Sequence, residues 1–165
     1  MPILNIITYP NPKLRQKAKN VETAQFSQKE FQNFLRDFVK TMQAKDGIGL
    51  AAPQVSQSIR VIAVSTKNSA MILINPKIIS KSWRKNLAEE GCLSFPDIYG
   101  LVKRHNKIKV TSYDKNGKKI KLKCDGLFAR VIQHEIDHLD GILFIDKMKK
   151  ITKGAELLKG KKDAE

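Results

Sequence analysis

The sequence predicts an α+β fold: a single compact domain of short antiparallel strands packed around a central helix carrying His134-Glu135-Ile136-Asp137-His138. Three observations carry that prediction. Two stretches repeat apolar residues at helical spacing. Several short segments between them alternate or run apolar as strands do, and Asn116-Gly117 marks a hairpin. A chain of 165 residues has room for one hydrophobic core and too little for two.

Residues 3–8 read as a short strand, followed by a turn at Tyr9-Pro10-Asn11-Pro12. The first helix has Ser27 as its expected N-cap and Glu30 completing a capping box. Phe31, Phe34, Leu35, Phe38, Val39 and Met42 form its apolar stripe, and Gly47 stops it. Strands are expected over 61–65, over 71–74 (stopped by Asn75-Pro76) and over 77–80. Ile108, Val110 and Ser112 alternate with polar residues, as do Ile120, Leu122 and Cys124 beyond the Asn-Gly turn. Asp125 can cap a second helix through Leu127, Phe128, Val131, Ile132, Ile136 and Leu139, ending at Gly141. Residues 142–145 read as a strand. The chain divides into a domain of 1–148 and a lysine-rich tail of 149–165, with weak helical character near Glu156.

Composition excludes some function classes. Hydrophobic residues make up 41% and charged residues 28%, a globular balance, and no apolar run approaches the ~20 residues of a membrane span. The N-terminus lacks the features of a secretory signal. Two thiols, Cys92 and Cys124, fit a reducing cytosol better than a disulfide framework. Lys and Arg number 31 against 16 acids, giving +15, a field that attracts polyanions. No basic run reads as interleaved with aromatics in the manner of single-strand binders.

Chemistry concentrates in three blocks. His134 and His138 lie one helical turn apart, so their imidazoles can converge on one ion, and Glu135 beside them can reach a water there. A metzincin would place a third histidine where Phe144 stands. Short of the terminal residue, a thermolysin-like downstream glutamate could come only from Glu156 in the tail. The cysteines remain as candidates, and thiolate is a strong donor. Cys92, in Glu90-Gly91-Cys92-Leu93-Ser94, is favoured over Cys124, which alternates with core residues. A Cys-His-His set leaves a fourth tetrahedral position open, as catalytic sites do. The third block, Gly47-Ile48-Gly49-Leu50-Ala51-Ala52-Pro53-Gln54, is no phosphate loop. It acquires a function only if the Gln54 amide acts as a donor.

Together, in this order, the three blocks resemble the peptide deformylase family, whose pattern is G-x-G-x-A-A-x-Q, then E-G-C-x-S, then Q-H-E-x-D-H. Here they run from Gly47 to Gln54, from Glu90 to Ser94 and from Gln133 to His138, and residues 9–15 and 139–141 extend the likeness. The resemblance implies metal-dependent hydrolysis of the formyl group from N-formylmethionine on nascent chains. It implies Cys92, His134 and His138 as ligands of one divalent ion, Fe²⁺ foremost, with Zn²⁺, Ni²⁺ or Co²⁺ able to substitute. It also implies Glu135 as general base and then acid, and the Gln54 amide with the Leu93 backbone N–H as the oxyanion hole. Ile48, Gly49 and Gly91 are expected on the substrate backbone, and Glu90, Leu127 and Val131 around the methionine. Tyr99 stands where familiar bacterial members carry an arginine. A cytoplasmic monomer of bacterial type is expected, without a membrane partner, whose basic surface and tail contact the ribosome. An organelle form with a trimmed transit peptide is the alternative location. The rivals are a zinc endopeptidase and an RNA- or ribosome-binding module with a structural metal.

Overall fold

Among the described residues, eight strands and four α-helices make two antiparallel sheets joined through one buried helix. The structure is a computed structural model that describes residues 2–67 and 69–162. In chain order the elements are α1 (Lys29–Ala44), β1 (Gly49–Ala51), β2 (Val61–Ser65), β3 (Ala70–Lys81), β4 (Lys85–Cys92) and β5 (Phe95–His105). Then come β6 (Lys107–Tyr113), β7 (Lys119–Asp125), α2 (Gly126–Leu139), α3 (Phe144–Lys147), β8 (Met148–Lys153) and α4 (Ala155–Lys162). One sheet has the order β1-β2-β3-β6-β7 and the other β4-β5-β8.

Alternation decides which helix covers which face. Ile62, Val64 and Leu73 point to one side of the five-stranded sheet and meet Ala129, Ile132, Ile136 and Leu139 of α2. Val61, Ala63 and Ile74 point to the other and meet Leu35, Phe38 and Met42 of α1. A third cluster, with Tyr9, Phe95, Ile98, Val102 and Phe144, seats the smaller sheet. Residues 129–139 of α2 are all buried, so the helix is central, as expected from the sequence.

Several local expectations are corrected. Residues 3–8 form no strand; the Leu4 N–H donates to Thr41 Oγ1 at 2.9 Å and the Ile7 N–H to the Gln54 carbonyl at 2.8 Å. The first helix is capped by Gln28, not Ser27, and without a side-chain cap bond. Asp125 is the N-cap of α2 but makes no side-chain cap bond. Asn75-Pro76 does not end the strand. Asn75 takes a left-handed φ of 52° and bonds Val21 through both amide atoms, so β3 bulges and continues to Lys81. Residues 142–145 run into α3, because Asp146 Oδ2 accepts the Leu143 N–H at 2.8 Å and starts a helical turn. The lysine-rich segment enters the fold through β8, which pairs with β5, and α4, whose Leu158 is buried. Residues 163–165 lie outside the described residues.

Candidate metal centre and active site

The i, i+4 spacing on α2 brings both histidine rings to one side of the helix, with centroids 5.0 Å apart. Cys92 ends β4 where the register against β5 shifts, and the chain turns through Leu93 and Ser94. That turn carries the thiol to the helix. The Cys92 sulfur lies 3.2 Å from His138 Nε2, and the candidate ligand atoms of Cys92, His134 and His138 all lie within 4.8 Å of one another. Cys124 sits instead in the core against α2, where burial pushes its thiol up to about 11. A thiol with two imidazoles suits a divalent transition ion. The tautomer fits as well. His134 Nδ1 is bonded to Glu90 Oε2 at 2.9 Å, so Nε2 is the nitrogen left for a ligand.

Glu90 is where the structure adds most to the sequence reading. It lines the cavity, yet both carboxylate oxygens are engaged behind the histidine. Arg104 Nη2 donates to Oε2 at 2.9 Å and Arg104 Nε to Oε1 at 3.0 Å, while Arg130 Nη1 donates to Oε1 at 2.6 Å. Arg104 also pairs with Asp137, which meets Lys147 Nζ at 2.6 Å. Burial raises the Glu90 pKa, but hydrogen bonds from His134 and Arg104 outweigh it and hold the carboxyl well below its ordinary range. Burial likewise opposes a charged His134, yet contacts with Cys92 and Glu90 hold it up at about 10. His138 is pushed down by burial and by charge on His134 and Arg104.

On the opposite wall, Gln54 follows β1 in a short 3₁₀ turn. Its Oε1 accepts the Ala51 N–H at 2.8 Å, which turns the amide nitrogen inward, 3.1 Å from Ser94 Oγ and 3.4 Å from the Cys92 sulfur. Glu135 is 4% exposed, and burial raises its carboxyl to about 7. Its Oε2 has no hydrogen-bond partner among the described residues. Gly49 packs on that carboxylate so closely that a Cβ there would collide with Glu135 Oε1 and lie 2.7 Å from Val131 Cγ1.

These groups face a cavity of about 430 Å³ lined by Ile48, Gly49, Gly91, Leu93, Leu127 and Val131, with Gln54, His134 and Glu135 at its depth. Ile48 and Leu127 are half-exposed or more at its mouth. Tyr99 also lines it, its ring lying over Gly91 where a Cβ would come within 2.6 Å of Cε1. Every site residue implied by the resemblance thus comes to the cavity or the candidate ligand cluster. Sequence reasoning missed Ser94, Arg104, Arg130 and Lys147. Ser94 and Asp137 stand inside the quoted blocks, but nothing in the chain marks Arg104 or Arg130 among 31 basic residues.

The family model described as polypeptide deformylase matches residues 3–154. A peptide deformylase from Desulfotalea psychrophila is 41% identical over 168 residues, covering 98% of this chain and 97% of the relative. A crystal structure of peptide deformylase from Thermotoga maritima superposes with a TM-score of 0.86 at 37% identity, covering 90% of this chain and 99% of that one. A class I type b peptide deformylase from Acinetobacter baumannii with Met-Ala-Ser bound gives 0.85 at 32% identity, covering 89% and 99%. Fold and kinship agree, and the chain belongs to the peptide deformylase family, the metal-dependent hydrolases that remove the formyl group from N-formylmethionine on nascent peptides.

Proposed function

We propose that Cys92, His134 and His138 hold one divalent ion, Fe²⁺ foremost, and that Glu135, Gln54 and the Leu93 backbone N–H carry out deformylation beside it. The observation that carries this reading is the convergence of the three ligand atoms within 4.8 Å next to a cavity lined by Glu135 and Gln54. The ion supplies Lewis-acid polarisation of the formyl carbonyl and acidifies the attacking water.

The protein's own groups do the rest. A carboxyl raised to about 7 by burial can take the proton of the attacking water and return it later. As the carbon becomes tetrahedral, negative charge grows on the formyl oxygen. The Gln54 amide, held by Ala51, and the Leu93 N–H donate to that oxygen. The C–N bond then breaks, Glu135 protonates the departing amine, and formate leaves with a free N-terminus. Ile48, Gly49 and Gly91 line the cavity where a peptide backbone would lie, and Leu127 and Val131 with Glu90 border the methionine. The relative holding Met-Ala-Ser supports a methionine-first peptide here.

The net charge of +15 and the lysines after residue 148 support contact with the polyanionic ribosome surface. The test is formate release from a formyl-Met tripeptide, beside its acetylated and unblocked counterparts. Release from the formylated peptide alone is expected. Cleavage of the unblocked peptide would favour an endopeptidase instead.

A further inference from the structure

Trp83 is the chain's single tryptophan and it is 99% exposed. It sits in the turn between β3 and β4, and the backbone on both sides of it is fastened. The Ser82 N–H donates to the Lys107 carbonyl at 2.8 Å and the Asn106 N–H to the Arg84 carbonyl at 3.0 Å. The Ser82 hydroxyl donates to the Arg84 carbonyl at 2.7 Å and accepts the Lys107 N–H at 3.1 Å. The indole is thus presented by an anchored corner. The run Lys81-Ser82-Trp83-Arg84-Lys85 sets that one indole among three cationic residues of the sequence.

The surroundings are cationic over a wide area. No acidic residue occurs between Asp46 and Glu89, or between Asp97 and Asp114. α1 covers the β1–β3 half of the sheet face away from α2, and the β6–β7 half beyond it carries exposed lysines. Lys109 stands directly opposite Lys123, Thr111 opposite Lys121 and Tyr113 opposite Lys119, while Lys107 faces the one acid of these two strands, Asp125. Like charges opposite each other weaken a sheet, so the Lys109–Lys123 pair costs stability rather than adding to it.

We propose that Trp83 and this lysine face, with Lys77, Lys107, Lys109, Lys121 and Lys123, form an RNA-binding surface. The ammonium groups contact phosphates, and the indole stacks on an unpaired base. One isolated indole matches one base, whereas membrane anchoring takes a broad apolar face. The proposal is independent of the chemistry at the cavity, and it rests on the nascent-chain reading only for the choice of RNA.

Because Trp83 is the sole tryptophan, its fluorescence reports directly on the full-length, metal-loaded protein. A single-stranded oligoadenylate of about 12 nucleotides, within the usual site sizes, should quench it saturably and more weakly as salt rises. With labelled RNA, Trp83→Ala should weaken binding by roughly 5- to 100-fold, the usual reach of base–aromatic stacking, and Trp83→Phe should keep most of it. Lys109→Ser with Lys123→Ser should flatten the log–log salt slope by about 1.4, at ~0.7 per phosphate contact on a single strand. All variants should release formate at the wild-type rate. Absence of saturable RNA binding at low salt, variants that bind as the wild type does, or binding only to phosphatidylglycerol vesicles would each overturn the proposal. Loss of formate release by the wild type would instead strike the reading of the cavity.

Discussion

Gln54 and Glu135 face the same small volume but are held in opposite ways. Gln54 is fixed by three hydrogen bonds, from Ala51 and to Ser94 and the Cys92 sulfur, whereas Glu135 packs under Gly49 and its Oε2 has no partner among the described residues. Glu135→Ala should therefore retain the ion and the fold while kcat falls at least ~10²-fold, the scale of general acid–base catalysis. Gln54→Ala should slow turnover by roughly 10²–10³-fold, the scale of one oxyanion donor. Metal content measured beside kcat checks both, and a Glu135 variant that lost its ion would contradict the assignment. The two cysteines separate as cleanly. Cys92→Ala should abolish metal retention, and Cys124→Ala should keep the ion and affect packing alone, read by elemental analysis of the purified variants. These residues were legible from the sequence because each stands in a dense local block. Glu90 was legible as a position but not as a partner: its arginines arrive from β5 and α2, 14 and 40 residues away.

That carboxylate ties three elements together, since Glu90 lies in β4, Arg104 in β5, and Arg130 with His134 in α2. Removing one partner of a buried pair leaves the others uncompensated. Glu90→Gln should thus destabilise the protein by about 3–5 kcal/mol at neutral pH. The folded state holds the Glu90 carboxyl below its ordinary value of 4.5, so the stability it contributes is present above that value and lost as pH falls beneath it. The gap between wild type and Glu90→Gln should narrow below about pH 4.5, as read by urea unfolding of the metal-free proteins. A gap constant with pH would mean the network is not ionic. At this scale the sequence was uneven. The β6–β7 hairpin and both long helices follow from alternation, Asn-Gly and apolar spacing. β4 did not stand out, because Lys85–Cys92 is exposed at half of its positions and shows no clean alternation. β8 was hidden among lysines for the same reason, and the break expected at Pro76 failed because Asn75 supplies the bulge.

Across the whole molecule, the C-terminal segment is not one thing. Residues 148–153 complete the smaller sheet, while α4 adds little beyond the burial of Leu158. A chain ending at Gly154 should fold and release formate normally, at a cost of about 2 kcal/mol for the lost leucine. One ending at Met148 should lose far more, because the β5 edge is stripped. Thermal melts and formate release on both truncations decide this, and equal behaviour would mean that β8 is dispensable. The fold class was readable from the chain, but the division between sheet and tail was not, since lysine content masks a strand whose support is its partner. The candidate ligand cluster has the same dependence on distant partners, its thiol and second imidazole being 46 residues apart. Contacts of that reach form late, after local hairpins and helices. Until β4 has paired with β5 and α2 has docked, Cys92 is an ordinary accessible thiol with no neighbouring imidazoles. A newly made or refolding chain therefore passes through an interval in which the Cys92 thiol is open to oxidants, and its survival depends on how fast the two sheets close on the helix.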